Sequence, residues 1–188
     1  AVALVPLVAP VIALLWCLVK LDGGPGFFGH QRVGRGGRLF LCWKLRTMVP
    51  DAQQRLAALL AHDARAAAEW QANYKLTADP RITRIGAFLR KSSLDELPQI
   101  WNVLLGEMSF VGPRPVTKPE MTMYRGTERA YLPHRPGVTG IWQVSGRNQV
   151  GYDHRVELDI AYLDKASMLF DIKVIAKTML AVINLEGR

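Results

Sequence analysis

An α+β fold, mainly helical, is the class this sequence predicts, and three observations predict it. The first nineteen residues carry no charge. Two short strand-like runs, Phe27-Phe28 and Leu39-Phe40-Leu41-Cys42-Trp43, flank the glycine-rich turn Gly34-Arg35-Gly36-Gly37. Beyond residue 50, apolar residues recur at helical spacing in one stretch after another. At 188 residues the chain suits one domain with a real hydrophobic core. Hydrophobic residues make up 49% of it and charged ones 21%, a balance that excludes a disordered chain.

The elements follow in order. A helix over 1–19 would reach about 28 Å at 1.5 Å per residue, near the bilayer core thickness. Pro6 and Pro10 interrupt it: Pro10 cannot donate to the carbonyl of Pro6, and its ring crowds that carbonyl, so a bend is expected near residues 6–10. Three readings stand open: a kinked spanning helix, a re-entrant helix broken near Pro10 that enters and leaves one face, and a buried core helix. A signal peptide is disfavoured, because neither a basic start nor a small-residue cleavage site is present. Next, Gly23-Gly24-Pro25-Gly26 is a turn. The Gly34 to Gly37 run lacks the Gly-Lys-Ser/Thr ending of a P-loop and reads as a hairpin turn. The second strand continues through Lys44-Leu45-Arg46-Thr47-Met48, where alternation puts Lys44 and Arg46 on one face.

A helix is predicted over 51–73, with Asp51 as N-cap and Leu56, Leu59, Leu60 and Trp70 as its stripe. Asp79-Pro80 opens another, carrying Ile82, Ile85, Phe88 and Leu89 on one face. Ser93 opens the next, which stops at Gly106. A turn over 113–119, a helix over 120–131, a loop over 133–137, an extended piece over 138–144 and a turn over 145–148 come after. Helices over 152–165 and 168–184 close the chain. The last is amphipathic, with Ile172, Ile175 and Met179 against Lys173 and Lys177, and fits either a core or a membrane interface.

Charge narrows the partners. The net charge is +8, which favours nucleic acid, anionic lipid or a phosphorylated substrate. Residues 20–50 hold Lys20, Arg32, Arg35, Arg38, Lys44 and Arg46 against Asp22 alone. Cations directly after an apolar segment mark a cytoplasmic membrane face, the alternative being an ordinary solvated surface. Cys17 and Cys42 have neither a disulfide framework nor metal-ligand spacing. A nucleic-acid-binding module is the rival from charge alone, and the apolar start argues against it.

Two compact motifs carry chemistry. Arg90-Lys91-Ser92-Ser93-Leu94-Asp95-Glu96-Leu97-Pro98-Gln99 sets two adjacent carboxylates after two cations. Ser93-x-x-Glu96 fits a capping box, with Asp95 complementing the helix dipole. The same position also suits function: an ionised Asp in a basic phosphate-binding pocket is a competent nucleophile toward phosphorus. In Ser109-Phe110-Val111-Gly112-Pro113-Arg114-Pro115, the flanking prolines fix the backbone and aim Arg114, whose planar fork suits phosphate oxygens. Arg135 and Arg147 lie beside Gly or Pro in loops and either line the same pocket or are solvated. Glu157 and Asp159 could hold a cation or pair with these arginines. His30, His62, His134 and His154 are scattered without ligand spacing.

Together these residues resemble the bacterial sugar transferase family, the monotopic phosphoglycosyl transferases. The likeness runs through Ala9-Pro10, Gly29-His30-Gln31-Arg32-Val33-Gly34, Lys44-Leu45-Arg46-Thr47-Met48, Asp79-Pro80-Arg81-Ile82-Thr83-Arg84-Ile85-Gly86, Arg90 to Asn102, Gly106 to Pro115, Arg135-Pro136-Gly137-Val138-Thr139-Gly140 and Gly146-Arg147-Asn148. The insertion ending Glu69-Trp70-x-x-x-Tyr74-Lys75-Leu76 resembles the undecaprenyl-phosphate hexose-1-phosphate transferase branch. The resemblance implies transfer of a sugar 1-phosphate from a UDP-sugar to undecaprenyl phosphate, with release of UMP through an aspartyl phosphosugar. It implies that Asp95 attacks, that Glu96 is the second acid, and that Mg²⁺ is the cofactor, with Asp95, Glu96 and Asp159 as its ligands. Lys44, Arg46, Arg90, Arg114, Arg135, Arg147 and Asn148 are the implied substrate and phosphate contacts. It also implies a membrane segment over 1–19, re-entrant at Pro10, and a catalytic domain over 20–188 on the cytoplasmic face of a bacterial inner membrane. Such a domain works with membrane lipid and without nucleic acid, at the first membrane step of exopolysaccharide, capsule or O-antigen assembly. Ala9 departs from the pattern, since the family often has Ser there and its backbone hydrogen bond is missing here. The family carries further sequence before the apolar segment, so the chain reads as the catalytic part of a longer protein. Monomer and homodimer are both compatible with the sequence. A non-catalytic assembly protein of the same fold would be expected to have lost an acid or an arginine, and here both motifs are intact.

Overall fold

The computed structural model describes residues 1–73, 76–124, 126–145 and 152–183. It is mainly helical, with two small two-stranded sheets. Helix α1 (Val5–Lys20) follows a single 3₁₀ turn at Val2–Leu4 and carries Pro10 inside its run. The helix runs through residues 6–10 without interruption. Pro6 sits in the first turn, where no donor is needed, and Pro10 removes one backbone bond only. Leu15 and Val19, near its C-terminal end, pack against Leu45 and Leu89, whereas Leu7, Val11, Leu14 and Leu18 stay exposed. Just 11% of the apolar stretch is buried against the rest of this chain, so it is not part of this domain's core. By length and composition it is long and apolar enough to cross a membrane.

Strands β1 (Phe27–Val33) and β2 (Leu39–Leu45) pair antiparallel, with Phe27 opposite Leu45 and Val33 opposite Leu39. The turn between them needs glycine, because Gly36 and Gly37 have φ of 68° and 76°. Lys44 lies within β2, and Arg46 just beyond its end.

The helix predicted over 51–73 is two helices, α2 (Ala52–His62) and α3 (Ala64–Asn73). Asp63 divides them: its Oδ1 accepts from the amides of Arg65 and Ala66 at 2.9 and 3.0 Å, which starts a new helix. The next helix, α4 (Arg84–Ser92), begins later than Asp79-Pro80, on Thr83, whose Oγ1 accepts from Gly86 N–H at 2.9 Å. Asp79 is instead bound to Arg81 at 2.7 and 2.8 Å.

The helix expected from Ser93 forms in its second half only, as α5 (Gln99–Leu104). Ser93 has φ 57° and ψ 16°, the left-handed conformation, and ends α4. An N-cap needs extended backbone, so the capping box does not form. A 3₁₀ turn, Leu94–Glu96, intervenes.

Strand β3 (Ser109–Val111) runs parallel to β4 (Gly137–Thr139), a pairing the sequence reading missed. Between them lie α6 (Lys118–Met121), a 3₁₀ turn at Thr122–Tyr124 and α7 (Glu128–Tyr131). Gly126, at φ 91°, splits what had read as one helix. Residues Ile141–Val144 are a short helix, α8, rather than extended. Helices α9 (Tyr152–Lys165) and α10 (Met168–Ile183) lie where their periodicity predicts them. Val174 of α10 packs with Val111 and Tyr162, while Met168, Leu169, Ile172, Ile175, Met179 and Leu180 are exposed.

Candidate active site

The acid pair sits on the bend made by Ser93. A non-glycine residue at positive φ is uncommon and is held only when its surroundings fix it. Here Ser93 N–H donates to Arg90 O and Glu96 N–H to Ser93 O, both at 3.2 Å. The bend turns Asp95 and Glu96 toward β2. There the Lys44 ammonium donates to Glu96 Oε1 at 2.6 Å and lies 4.0 Å from Asp95 Oδ2.

Two anchors hold this corner against the hairpin. Asn102 of α5 is fully buried. Its Nδ2 donates to Leu41 O at 2.7 Å and Glu107 Oε2 at 2.6 Å, and its Oδ1 accepts from Trp43 N–H at 3.1 Å. On the other side, α4 docks on the extension of β2. A Cβ at Gly86 would stand 2.0 Å from Thr47 O, so only glycine permits that approach. Arg90, one helical turn further on, donates from Nε to Thr47 Oγ1 at 2.8 Å.

Asp95 is 8% exposed. Burial pushes its carboxyl up to about 6; Lys44 and Arg90 pull it down and Glu96 pushes it up. Its carboxyl is thus more easily protonated than an exposed aspartate. Desolvation opposes the charge on Lys44, but the pull of Glu96 and Asp95 outweighs it and holds Lys44 above its ordinary value.

Arg46 has a different task from the phosphate contact expected of it. Its Nε donates to Pro25 O at 2.6 Å, Nη1 to Met48 O at 2.6 Å and Asp22 Oδ2 at 3.0 Å, and Nη2 to Val19 O at 3.1 Å and to Asp22 Oδ1. Buried and fully engaged, it ties the C-terminal end of α1 to the end of β2. The alternation that put it beside Lys44 stops at Leu45, where the strand ends.

A second corner gathers around Arg114. Its guanidinium lies 3.7 Å from Glu120 Oε1, and Glu120 Oε2 also accepts from Arg32 at 2.8 Å. Its charge centre stands 5.3 Å from the Trp142 ring centroid, and that of Arg155 stands 5.0 Å from the same ring. The Arg114 backbone is clamped: its N–H donates to Asp159 Oδ2 at 3.3 Å and its carbonyl accepts from Tyr131 Oη at 3.1 Å. Tyr124 Oη donates to the same Asp159 oxygen at 3.1 Å. Asp159 is 3% exposed and its Oδ1 has no hydrogen-bond partner. Burial pushes it up to about 7, against the hydrogen bond from Tyr124.

Asp159 is therefore not gathered with Asp95 and Glu96. Among the described residues, no three or more His, Cys, Asp or Glu side chains lie close enough to hold an ion, so Asp159 and the Asp95–Glu96 pair do not form one ligand group. Asp95 and Glu96 are neighbours in the chain. Two neighbouring hard carboxylates fit Mg²⁺, which usually takes one or two from protein and completes its shell from phosphate oxygens and water. Arg135 is exposed in a cleft at the turn end of the hairpin rather than against Asp95. Arg147 and Asn148 lie outside the described residues. In the sequence Thr47 and Asn102 stand out only as parts of longer motifs, and Tyr124 and Trp142 in no motif that carries chemistry. No local pattern signals any of the four, because each acts through a partner distant along the chain.

The family model described as bacterial sugar transferase matches residues 1–185. The chain belongs to the bacterial sugar transferase family. Its relatives include a protein of Salmonella typhimurium named undecaprenyl-phosphate galactose phosphotransferase. The two are 50% identical over 179 residues, covering 95% of this chain and 38% of that protein. The exopolysaccharide production protein ExoY of Rhizobium meliloti is 46% identical, over 94% of this chain and 78% of its own length. The UDP-glucose:undecaprenyl-phosphate glucose-1-phosphate transferase of Escherichia coli is 36% identical over 92% of this chain. The chain spans less than two fifths of the length of the first of these relatives and 36% of the last.

Proposed function

We propose that this chain is the catalytic domain of a phosphoglycosyl transferase that moves a hexose 1-phosphate from a UDP-hexose to undecaprenyl phosphate. The observation that carries the reading is the buried Asp95 beside Glu96, on a strained bend, within reach of Lys44 and in the field of Arg90. The names of the relatives support a hexose donor and a polyprenyl phosphate acceptor, and they support a place in exopolysaccharide assembly.

In this mechanism an Asp95 oxygen attacks the phosphorus bonded to the sugar. The bond from that phosphorus to the bridging oxygen breaks, and UMP leaves with the electron pair. An acyl phosphate to the sugar forms on Asp95. An oxygen of undecaprenyl phosphate then attacks the same phosphorus, the acyl phosphate bond breaks, and Asp95 returns as a carboxylate. Lys44 keeps Asp95 ionised and is placed to balance charge on the diphosphate. Arg90 adds to that field. Arg114, held by Asp159 and Tyr131, presents its fork to a phosphate group. Asp95 and Glu96 would hold Mg²⁺, which would neutralise the diphosphate and make UMP a better leaving group.

The exposed apolar face of α1 supports a site at the membrane surface, where a soluble nucleotide sugar and a lipid phosphate can both reach one carboxylate. We place the domain on the cytoplasmic face of the inner membrane, with α1 re-entrant or spanning. The test is UMP release by detergent-solubilised protein given undecaprenyl phosphate, Mg²⁺ and UDP-galactose or UDP-glucose, with Asp95→Asn beside it. Release abolished by the substitution supports the reading, and undiminished release from Asp95→Asn refutes it.

A further inference from the structure

At the turn end of the β1–β2 hairpin a cleft of about 600 Å³ opens between the hairpin turn, the end of α5 and the loop before β4. Three arginines line it, Arg35 and Arg38 from the turn and Arg135 from the loop, with Leu39, Leu105 and Glu107. Among the described residues, none of the three guanidinium groups has a carboxylate within ion-pair distance. The one acid in the wall, Glu107, accepts from buried Asn102 at 2.6 Å and offsets only one of the three charges. His134, next along the chain from Arg135, feels the same charge: its imidazole is held below the ordinary range by burial and then by Arg35. Three cations against one carboxylate give the lining a net positive charge, which favours an anion.

The rim says which anion. Leu105 is 59% exposed and Leu39 38% exposed. Trp101, one helical turn before Leu105, and Leu41, on the same strand face as Leu39, extend this apolar surface and are exposed too. A soluble phosphate has no use for that rim, whereas an amphiphile does. The site is also separate from the acid pair: Leu39 precedes Lys44 by five residues of β2, about 17 Å at about 3.3 Å per residue.

We propose that this cleft binds an anionic membrane phospholipid, its phosphodiester on Arg35, Arg38 and Arg135 and its acyl chains along Leu39, Leu105 and Trp101. The proposal rests on the reading that the domain sits on a membrane, and not on the transfer reaction. Such a lipid would fix the hairpin at the surface and leave Asp95 open to its own substrates. Basic side chains near an anionic leaflet and exposed aromatics at its interface are the expected anchors.

Native mass spectrometry of the detergent-solubilised chain tests it, comparing retention of phosphatidylglycerol with phosphatidylcholine of the same acyl chains. The expected result is preferential retention of one phosphatidylglycerol. Arg35→Gln/Arg38→Gln should weaken it at least tenfold, and Lys173→Gln/Lys177→Gln, which removes equal charge from α10, should not. Leu105→Ser serves as a second variant should the arginine pair fail to fold, and it too should weaken retention. No preference over phosphatidylcholine, equal losses in the α10 control, or displacement by inorganic phosphate would each overturn the assignment. No sugar nucleotide is present in this experiment, so its failure and a failure to release UMP are separate outcomes.

Discussion

The Asp95 and Asp159 corners each bring a buried carboxylate near an arginine, yet they are built for opposite ends. Burial raises Asp95 to about 6, while Lys44, 4.0 Å away, and Arg90 pull it down and Glu96 pushes it up. Asp159 faces a tyrosine hydroxyl and a backbone amide; its second oxygen has no partner, and burial carries it to about 7. In the first corner the neighbouring cations favour the charged form of the acid. The second uses a carboxyl as a fixed acceptor that holds a backbone in place. An acid's role is thus set by whether the groups facing it are charged or neutral, which its place in the sequence does not reveal.

The largest expected effect separates the two acids. Asp95→Asn should lower UMP release by about three orders of magnitude or more, the scale on which a covalent nucleophile acts. Asp159→Asn keeps an oxygen for Tyr124 and Arg114, so release should stay within about tenfold of wild type. Equal losses would erase the distinction drawn here.

Lys44→Met comes next. Without Lys44 the cation that lowers Asp95 most is gone, so the acid limb of the pH–rate profile should move to higher pH and turnover should fall about a hundredfold. Arg46→Ala, two residues on, should instead act on folding. It leaves Asp22 and three carbonyls without their donor, and a loss of about 2–4 kcal/mol in denaturant unfolding is expected.

The comparison also has a pH signature. Asp159 binds its proton more tightly folded, at about 7, than unfolded, at 3.8. Its contribution to stability is therefore full below pH 4 and is lost as pH rises through 7. Against wild type, Asp159→Asn should gain about 1–3 kcal/mol at pH 8 and little at pH 4, read from unfolding at both pH values. The smallest effect is that of Tyr124→Phe. Losing the donor that lowers Asp159 should cost about 1 kcal/mol at pH 8 and push the Asp159 titration higher, visible by carboxyl-carbon NMR.

Much of this was legible from the chain. The apolar start, the hairpin around Gly36 and the last two helices follow from uncharged length, glycine turns and 3.6-residue periodicity, all local signals. The acid pair was legible as a motif, but its geometry was not. Ser93 reads as an N-cap and is a left-handed helix end, because the docking of α4 on Thr47 and of α5 on β2 overrides local capping preference. Arg46 reads as a twin of Lys44 until the strand is seen to stop at Leu45. That one oxygen of Asp159 accepts from Tyr124 and the Arg114 amide is visible only in the fold, because both partners are distant along the chain. The parallel pairing of β3 and β4 joins runs of three residues each, too short for any period to mark.

The most direct test of the central claim is intact-mass and peptide-level mass spectrometry of the protein incubated with the UDP-sugar and Mg²⁺ but no lipid acceptor. The account predicts one equivalent of UMP and a hexosyl phosphate on Asp95, absent in Asp95→Asn and discharged when undecaprenyl phosphate is added. UMP appearing only when the lipid is present, with no adduct at any time, would mean direct transfer and would contradict it.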